Sequence, residues 1–163
     1  MSPALTRDLP DLAATEAFGR SLASLLRPGD CILLDGPLGA GKTALARALL
    51  RAACGREAME VPSPSYTLVQ GYETPGGLPI HHFDLWRLDG PSALEELGWD
   101  EARDGVVLVE WPDRLGALTP EDALRLDLSL LPSSDPDPDA PAPRRVRVHG
   151  WAERLAAARL VAA

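Results

Sequence analysis

The 163-residue chain reads as an α/β protein: one P-loop NTPase domain over residues 1–163, whose mixed sheet has a parallel centre and antiparallel edges and is flanked by helices. Three observations predict this. Asp30-Cys31-Ile32-Leu33-Leu34-Asp35 is a short, continuous apolar run of the kind found in strands buried on both faces. A glycine-rich turn, Gly36 to Thr43, follows it at once, and Ala44 to Cys54 then carries a helical pattern closed by Gly55. A second apolar run, Gly105 to Val109, supplies another buried strand and ends at Glu110-Trp111-Pro112.

The remaining elements fall around that core. Leu12, Ala13, Phe18, Leu22, Leu25 and Leu26 recur at helical spacing between Asp11 and Leu26, and Arg27-Pro28-Gly29 stops the helix. Pro62-Ser63-Pro64-Ser65 cannot be helical and predicts an exposed loop. Tyr66 to Tyr72 and Leu78 to Phe83 flank Glu73-Thr74-Pro75-Gly76-Gly77 as a hairpin. Pro91 to Gly98 reads as a short helix with an acidic first turn. Leu124 to Leu131 alternates as a strand, with Arg145 to His149 as its partner. Between them, residues 132–143 hold five prolines and three aspartates, too polar and too broken to pack, which predicts a mobile hairpin tip. Trp151 to Ala162 is an Ala-rich closing helix.

Composition narrows the function classes. Hydrophobic residues at 45% supply enough material for a core, so the chain is not of the disordered type. The formal charge of −8 argues against a protein that grips nucleic acid through its phosphates. No apolar run approaches the roughly 20 residues needed to span a bilayer. The N-terminus lacks the charged-then-apolar pattern of a signal peptide, so the expected location is the cytoplasm. Cys31 and Cys54 sit among aliphatic neighbours and read as buried thiols. Of the sixteen Lys and Arg residues, Lys42 alone is lysine, and it stands where a compact, flexible ammonium is required.

That position is in Gly36-Pro37-Leu38-Gly39-Ala40-Gly41-Lys42-Thr43, which fits G-x-x-x-x-G-K-[ST] at every fixed place. Gly36, Gly39 and Gly41 let the backbone wrap, with Leu38 and Ala40 between them, so that N–H groups point inward at phosphate oxygens. The helix entered through Lys42, Thr43 and Ala44 aims the positive end of its dipole at the same place. Lys42 reaches the β- and γ-phosphates, and the Thr43 hydroxyl can ligate magnesium. Gly39, Gly41 and Ala44 also fit a dinucleotide fingerprint, but that pattern leaves Gly36 and the Lys-Thr pair unexplained. An acidic group at a neighbouring strand end must serve magnesium or the attacking water. Asp84 and Glu110 are the two candidates, and Glu110 ends the more apolar strand. Arg87 can neutralise phosphate or pair with a carboxylate. Trp111 and Pro112 can wall the nucleotide or simply pack. The chain has no asparagine and no second lysine, so the [NT]-K-x-D guanine reader is missing and ATP/ADP is favoured over guanine nucleotides. Adjacent residues on a strand face opposite ways, so His81-His82 reads as a structural pair rather than a metal site. A small-molecule kinase of the P-loop type fits the same length and motif.

Five ordered blocks together resemble the TsaE (YjeE) family of P-loop ATPases. They are Asp35 to Thr43, Ser63-Pro64-Ser65-Tyr66-Thr67-Leu68-Val69, His82-Phe83-Asp84-Leu85-Trp86-Arg87-Leu88, Glu95-Glu96-Leu97-Gly98 and Val109-Glu110-Trp111-Pro112. The resemblance runs from Leu9 to about Leu131. It implies an ATPase subunit that binds a TsaB–TsaD pair during formation of threonylcarbamoyl-adenosine beside the tRNA anticodon, meeting tRNA only through that complex. It also implies that Lys42 and Thr43 hold phosphates and Mg2+, and that Asp84 and Glu110 serve the metal and the attacking water. Ser63, Ser65 and Thr67 would form a switch-like loop near the γ-phosphate. The chain departs from the family in carrying Ser65 for the usual Thr and Trp86 for the usual Tyr.

Overall fold

The computed structural model describes residues 2–160, so the last residues of the closing helix read from the sequence lie outside the described ones. Seven strands form one sheet in the order β1-β7-β6-β2-β5-β4-β3. They are β1 (Leu5–Leu9), β2 (Cys31–Asp35), β3 (Val69–Glu73), β4 (Pro79–Asp84), β5 (Val106–Glu110), β6 (Leu124–Leu130) and β7 (Arg144–His149). The central four, β6, β2, β5 and β4, pair in parallel, whereas β1, β7 and β3 join antiparallel at the edges. This is the predicted architecture.

The alternation of β2 explains its uninterrupted apolar sequence. Ile32 and Leu34 face a cluster with Phe18, Leu22, Leu45 and Leu49. Cys31 and Leu33 face a second cluster with Phe83, Leu94, Trp99 and Leu115. Both faces are covered, so every position of β2 through Leu34 and of β5 is buried.

Helix α1 (Leu12–Ala23) starts where the Asp11 carboxylate accepts the Ala14 N–H at 2.8 Å, a side-chain N-cap. Helix α2 (Lys42–Cys54) ends at Gly55 in the left-handed conformation, as the sequence requires. These two helices pack together where α1 carries Gly19. A β-carbon there would lie 2.7 Å from Ala48 Cβ and 3.0 Å from the Leu49 backbone nitrogen.

Three local expectations change, and one strand was not expected at all. The sequence pattern did not show β1, which pairs with β7 from the chain's other end. The strand after the Ser/Pro loop begins at Val69 rather than Tyr66, because Leu68 takes a positive φ of 68° and its N–H bonds back to the Pro64 carbonyl at 2.8 Å. Pro91–Leu97 is a 3₁₀ segment, and its Glu95-Glu96 pair falls near its C-terminal end rather than in the first turn. A four-residue α3 (Trp99–Ala102) follows it, and α4 (Ala152–Ala157) is shorter than its Ala-rich sequence suggests. Trp151 caps α4 in a left-handed conformation. Arg154 then fastens α4 to the start of β2 through a two-bond pair with the buried Asp30, at 2.7 and 3.2 Å.

Burial pushes the Cys31 thiol up to about 12, despite the opposing pull of Arg103. Iodoacetamide at pH 8 is therefore expected to leave Cys31 unmodified in the folded chain, checked by mass spectrometry with and without urea. Helix propensity alone would make Gly19→Ala favourable by roughly 0.5–1 kcal/mol. The 2.7 Å approach to Ala48 outweighs that gain, so the substitution is expected to destabilise the chain by about 1–3 kcal/mol in urea unfolding.

Candidate functional site

The site forms at the carboxyl ends of the parallel strands, as open α/β sheets favour. β2 runs out at Asp35, whose side chain accepts the Gly36 N–H at 2.9 Å and pairs with Arg125 of β6. Arg125 also bonds Asp127 at 3.0 Å, so the entry to the loop is anchored across two strands. Gly36 has no alternative here. Its φ is +145°, and a β-carbon would lie 2.5 Å from the Leu128 carbonyl oxygen. Ala40 is fully buried beneath the loop, whereas Leu38, at 72% exposure, stands at its rim.

Helix α2 leaves this loop with Gly41 as its N-cap and no side-chain cap. The first-turn N–H groups therefore lack a side-chain acceptor and face the loop, the arrangement that binds phosphate. The cavity has a volume of about 280 Å³ and is lined by Leu38, Gly39, Gly41, Lys42, Thr43 and Ala44 on the loop side. Ser63, Ser65, Asp84, Trp86, Glu110, Trp111 and Arg144 complete the wall. A larger groove of about 420 Å³ lies between α1 and α2, but two of its arginines are spent on the chain itself. Arg47 donates to the Val61 carbonyl at 2.8 Å and Arg51 to the Met59 carbonyl at 2.9 Å.

Lys42 is folded back onto the loop. Its ammonium donates to the carbonyl oxygens of Gly36 and, at 3.2 Å, Pro37, and lies 3.8 Å from the centre of the Trp111 ring. Burial draws its pKa below the ordinary lysine value, while Glu110, Asp35 and Asp84 oppose that shift. A cation satisfied only by neutral carbonyls and a π face is well placed to transfer to phosphate oxygens.

Trp111 holds its position at a conformational cost. Its φ of 59° and ψ of 55° are left-handed, and Pro112 follows it. For a bulky residue this costs about 1–3 kcal/mol. The strain places the indole over Lys42 and 4.3 Å from the ring of Trp86. Trp86 thus supplies a second aromatic wall beside Trp111.

The two candidate carboxylates both reach the cavity. Asp84 and Glu110 are register partners at the ends of β4 and β5. Glu110 Oε1 accepts the Thr43 hydroxyl at 3.1 Å. Its other oxygen, Oε2, lies 2.7 Å from His82 Nε2. Asp84 Oδ2 accepts the Ser65 hydroxyl at 3.3 Å, and Oδ1 accepts the Trp86 N–H at 3.0 Å. Ser63 and Ser65 share a 2.8 Å hydroxyl bond. Thr67 is exposed and does not line the cavity, and Arg87 lies over the Tyr66 ring at 4.5 Å instead of facing it.

The sequence reading missed His82 as a site residue. It is fully buried, and its Nδ1 has no partner. Glu110, as a carboxylate, only accepts, so Nε2 carries the hydrogen toward it. The signal was present in the strand period: His82 and Asp84 are two apart on β4 and share a face. Among the described residues no group of three or more His, Cys, Asp or Glu could hold a metal by itself. The oxygen donors Thr43, Glu110 and Asp84 fit magnesium, which takes one or two carboxylates and completes its shell with water and substrate phosphate.

The family model for threonylcarbamoyl adenosine biosynthesis protein TsaE matches residues 9–134. The chain belongs to the TsaE family. A relative from Streptomyces coelicolor, named tRNA threonylcarbamoyladenosine biosynthesis protein TsaE, is 38% identical over 86% of this chain and 93% of its own length. The Synechocystis and Rickettsia bellii proteins of the same name are 42% and 38% identical, over 68% and 72% of this chain and 71% and 81% of theirs. The crystal structure of Bacillus subtilis YdiB superposes with a TM-score of 0.71 over 96% of this chain and 91% of that one, at 24% identity, which establishes the shared fold. As a TsaE, the chain is a nucleotide-binding P-loop protein. Among the described residues no helix is long and apolar enough to cross a membrane.

His82→Leu removes a donor from a carboxylate that is 2% exposed, and is expected to cost about 1–3 kcal/mol in urea unfolding. In a double-mutant cycle with Glu110→Gln, the two losses should fall short of adding by about 0.5–2 kcal/mol.

Proposed function

We propose that this chain binds ATP with Mg2+ at its P-loop and hydrolyses it, as the ATPase subunit acting on a TsaB–TsaD pair during threonylcarbamoyl-adenosine modification of tRNA beside the anticodon. The observation that carries the reading is the 3.1 Å bond between Thr43 of the P-loop helix and Glu110 at the end of the neighbouring strand. It joins the two parts that every P-loop hydrolase must hold together, the phosphate cradle and the acidic strand end. The TsaE membership supplies the pathway, and the acidic charge of −8 favours access to tRNA through protein partners rather than by direct grip.

In this mechanism the N–H groups from Gly39 to Ala44 receive the phosphates. Lys42 exchanges the carbonyls of Gly36 and Pro37 for β- and γ-phosphate oxygens and leaves the Trp111 ring. Thr43 and Glu110 would hold Mg2+, which when bound would supply positive charge against the phosphates. His82 keeps Glu110 oriented. Asp84 positions the attacking water, and its bond to Ser65 couples the 62–68 loop to the state of the γ-phosphate. This soluble cycle needs no membrane, and the cytoplasm is its natural location.

The test is Mg2+-dependent ATP turnover by the purified chain with and without a TsaB–TsaD pair. Weak turnover alone and strong stimulation by the pair are expected. Phosphate appearing on an added hydroxyl metabolite rather than in water would replace this reading with a small-molecule kinase. Lys42→Ala should remain folded and lose triphosphate affinity by at least about tenfold, because its ammonium serves charge rather than packing. Nucleotide binding should also change tryptophan emission as Lys42 leaves the Trp86–Trp111 pair, and Trp111→Phe should abolish most of that change.

A further inference from the structure

The P-loop cavity contains a second cation that the strand-loop-helix motif does not supply. β6 runs parallel to β2, so the turn after Leu130 lies at the same sheet edge as the P-loop. The Pro/Asp-rich segment 132–143 closes there with a 2.8 Å bond from Leu131 N–H to the Pro143 carbonyl, and delivers Arg144 as the first residue of β7. Its side chain crosses the loop. Nη2 donates to the Gly39 carbonyl at 3.3 Å, and the side chain packs against Gly41. A β-carbon on Gly41 would lie 2.6 Å from Nε and 2.7 Å from Cδ, so that glycine leaves the space the arginine occupies.

The donors of this guanidinium are poorly used. Nε is buried without a partner, and among the described residues Arg144 pairs with no carboxylate. Other arginines are committed elsewhere: Arg103 to the Gly29 carbonyl, Arg114 to the Leu88 carbonyl and Arg125 to Asp35. Buried unpaired donors are costly, and a planar fork beside an anion cradle suits phosphate better than a single long bond to a carbonyl. β6 and β7 lie on one flank of β2, whereas Glu110 and Asp84 come from the other.

We propose that Arg144 is a nucleotide-binding residue that leaves the Gly39 carbonyl and grips the α- and β-phosphates from the flank opposite the carboxylates. The inference rests on the ATP reading above and adds a residue outside the family-matched segment 9–134. The γ-phosphate end of the nucleotide is placed by Thr43, Glu110 and Asp84. The remainder leaves the loop on the side where Arg144 waits, so its contacts are those that ADP and ATP share.

The experiment measures ADP and Mg-ATP affinity by calorimetry, and ATP turnover at saturation, for the wild type, Arg144→Ala, Arg144→Gln and Lys42→Ala. Arg144→Gln retains an amide for the Gly39 carbonyl and keeps the test valid if the alanine variant folds poorly; thermal melts check both. Losses of about tenfold to a hundredfold in ADP and ATP affinity alike are expected for both Arg144 variants. Turnover at saturating ATP should fall by less than the affinity does, as for a contact made in ground and transition states alike. Unchanged affinities in folded variants, with Lys42→Ala impaired, would overturn the role of Arg144 and leave the P-loop reading intact. Unchanged ADP affinity with lost turnover would also overturn it, by pointing to the γ-phosphate instead. A wild-type chain that binds neither nucleotide would overturn the ATP reading and this inference together.

Discussion

The site depends on one buried carboxylate. Glu110 closes an apolar strand, and at 2% exposure it has lost nearly all access to water. An unpaired charge in that position would be untenable, so it needs hydrogen-bond donors on both oxygens. Thr43 supplies one from the P-loop helix and His82 the other from β4. Three separate elements are thereby held in register at the sheet's carboxyl edge. The same requirement orients the Thr43 hydroxyl, the group that a P-loop protein turns toward its metal.

The rest of the site shows tension of the opposite kind. Lys42 spends its charge on carbonyls of its own loop and on an aromatic face. Trp111 accepts a left-handed backbone to provide that face. Arg144 leaves a buried donor without a partner. Each feature carries a cost within the fold, and on the ATP reading proposed above a phosphate would give these groups their partner. Rigid support lies behind them, in the anchored Asp35–Arg125–Asp127 set and in the close packing of α1 on α2 at Gly19. The loop can therefore exchange its partners without moving its frame.

How much of this was legible from sequence depends on the range of the interaction. The strand, loop and first turn of α2 are specified by contiguous residues, because glycine conformational freedom and apolar period act locally. Asp84 and Glu110 were legible for the same reason: each is the acidic residue that ends a strand-like run. His81 and His82 show the limit. Strand alternation argued correctly that they face apart, yet that alternation also puts His82 on the face of Asp84, where β5 brings Glu110 within 2.7 Å. β1 escaped the sequence reading for a non-local reason, because it finds its partner in β7, whereas Thr67 is left exposed by the local turn at Leu68.

By itself, the sequence determined the fold class, the phosphate cradle and the pair of strand-end acids, because the chemistry of each is written in neighbouring residues. Only the tertiary structure decided which side chains meet across strands. Sheet order set Glu110 beside both Thr43 and His82, and the return of β7 set Arg144 against Gly39 and Gly41. Those contacts join residues up to 105 positions apart, and spacing along the chain carries no distance information at that range.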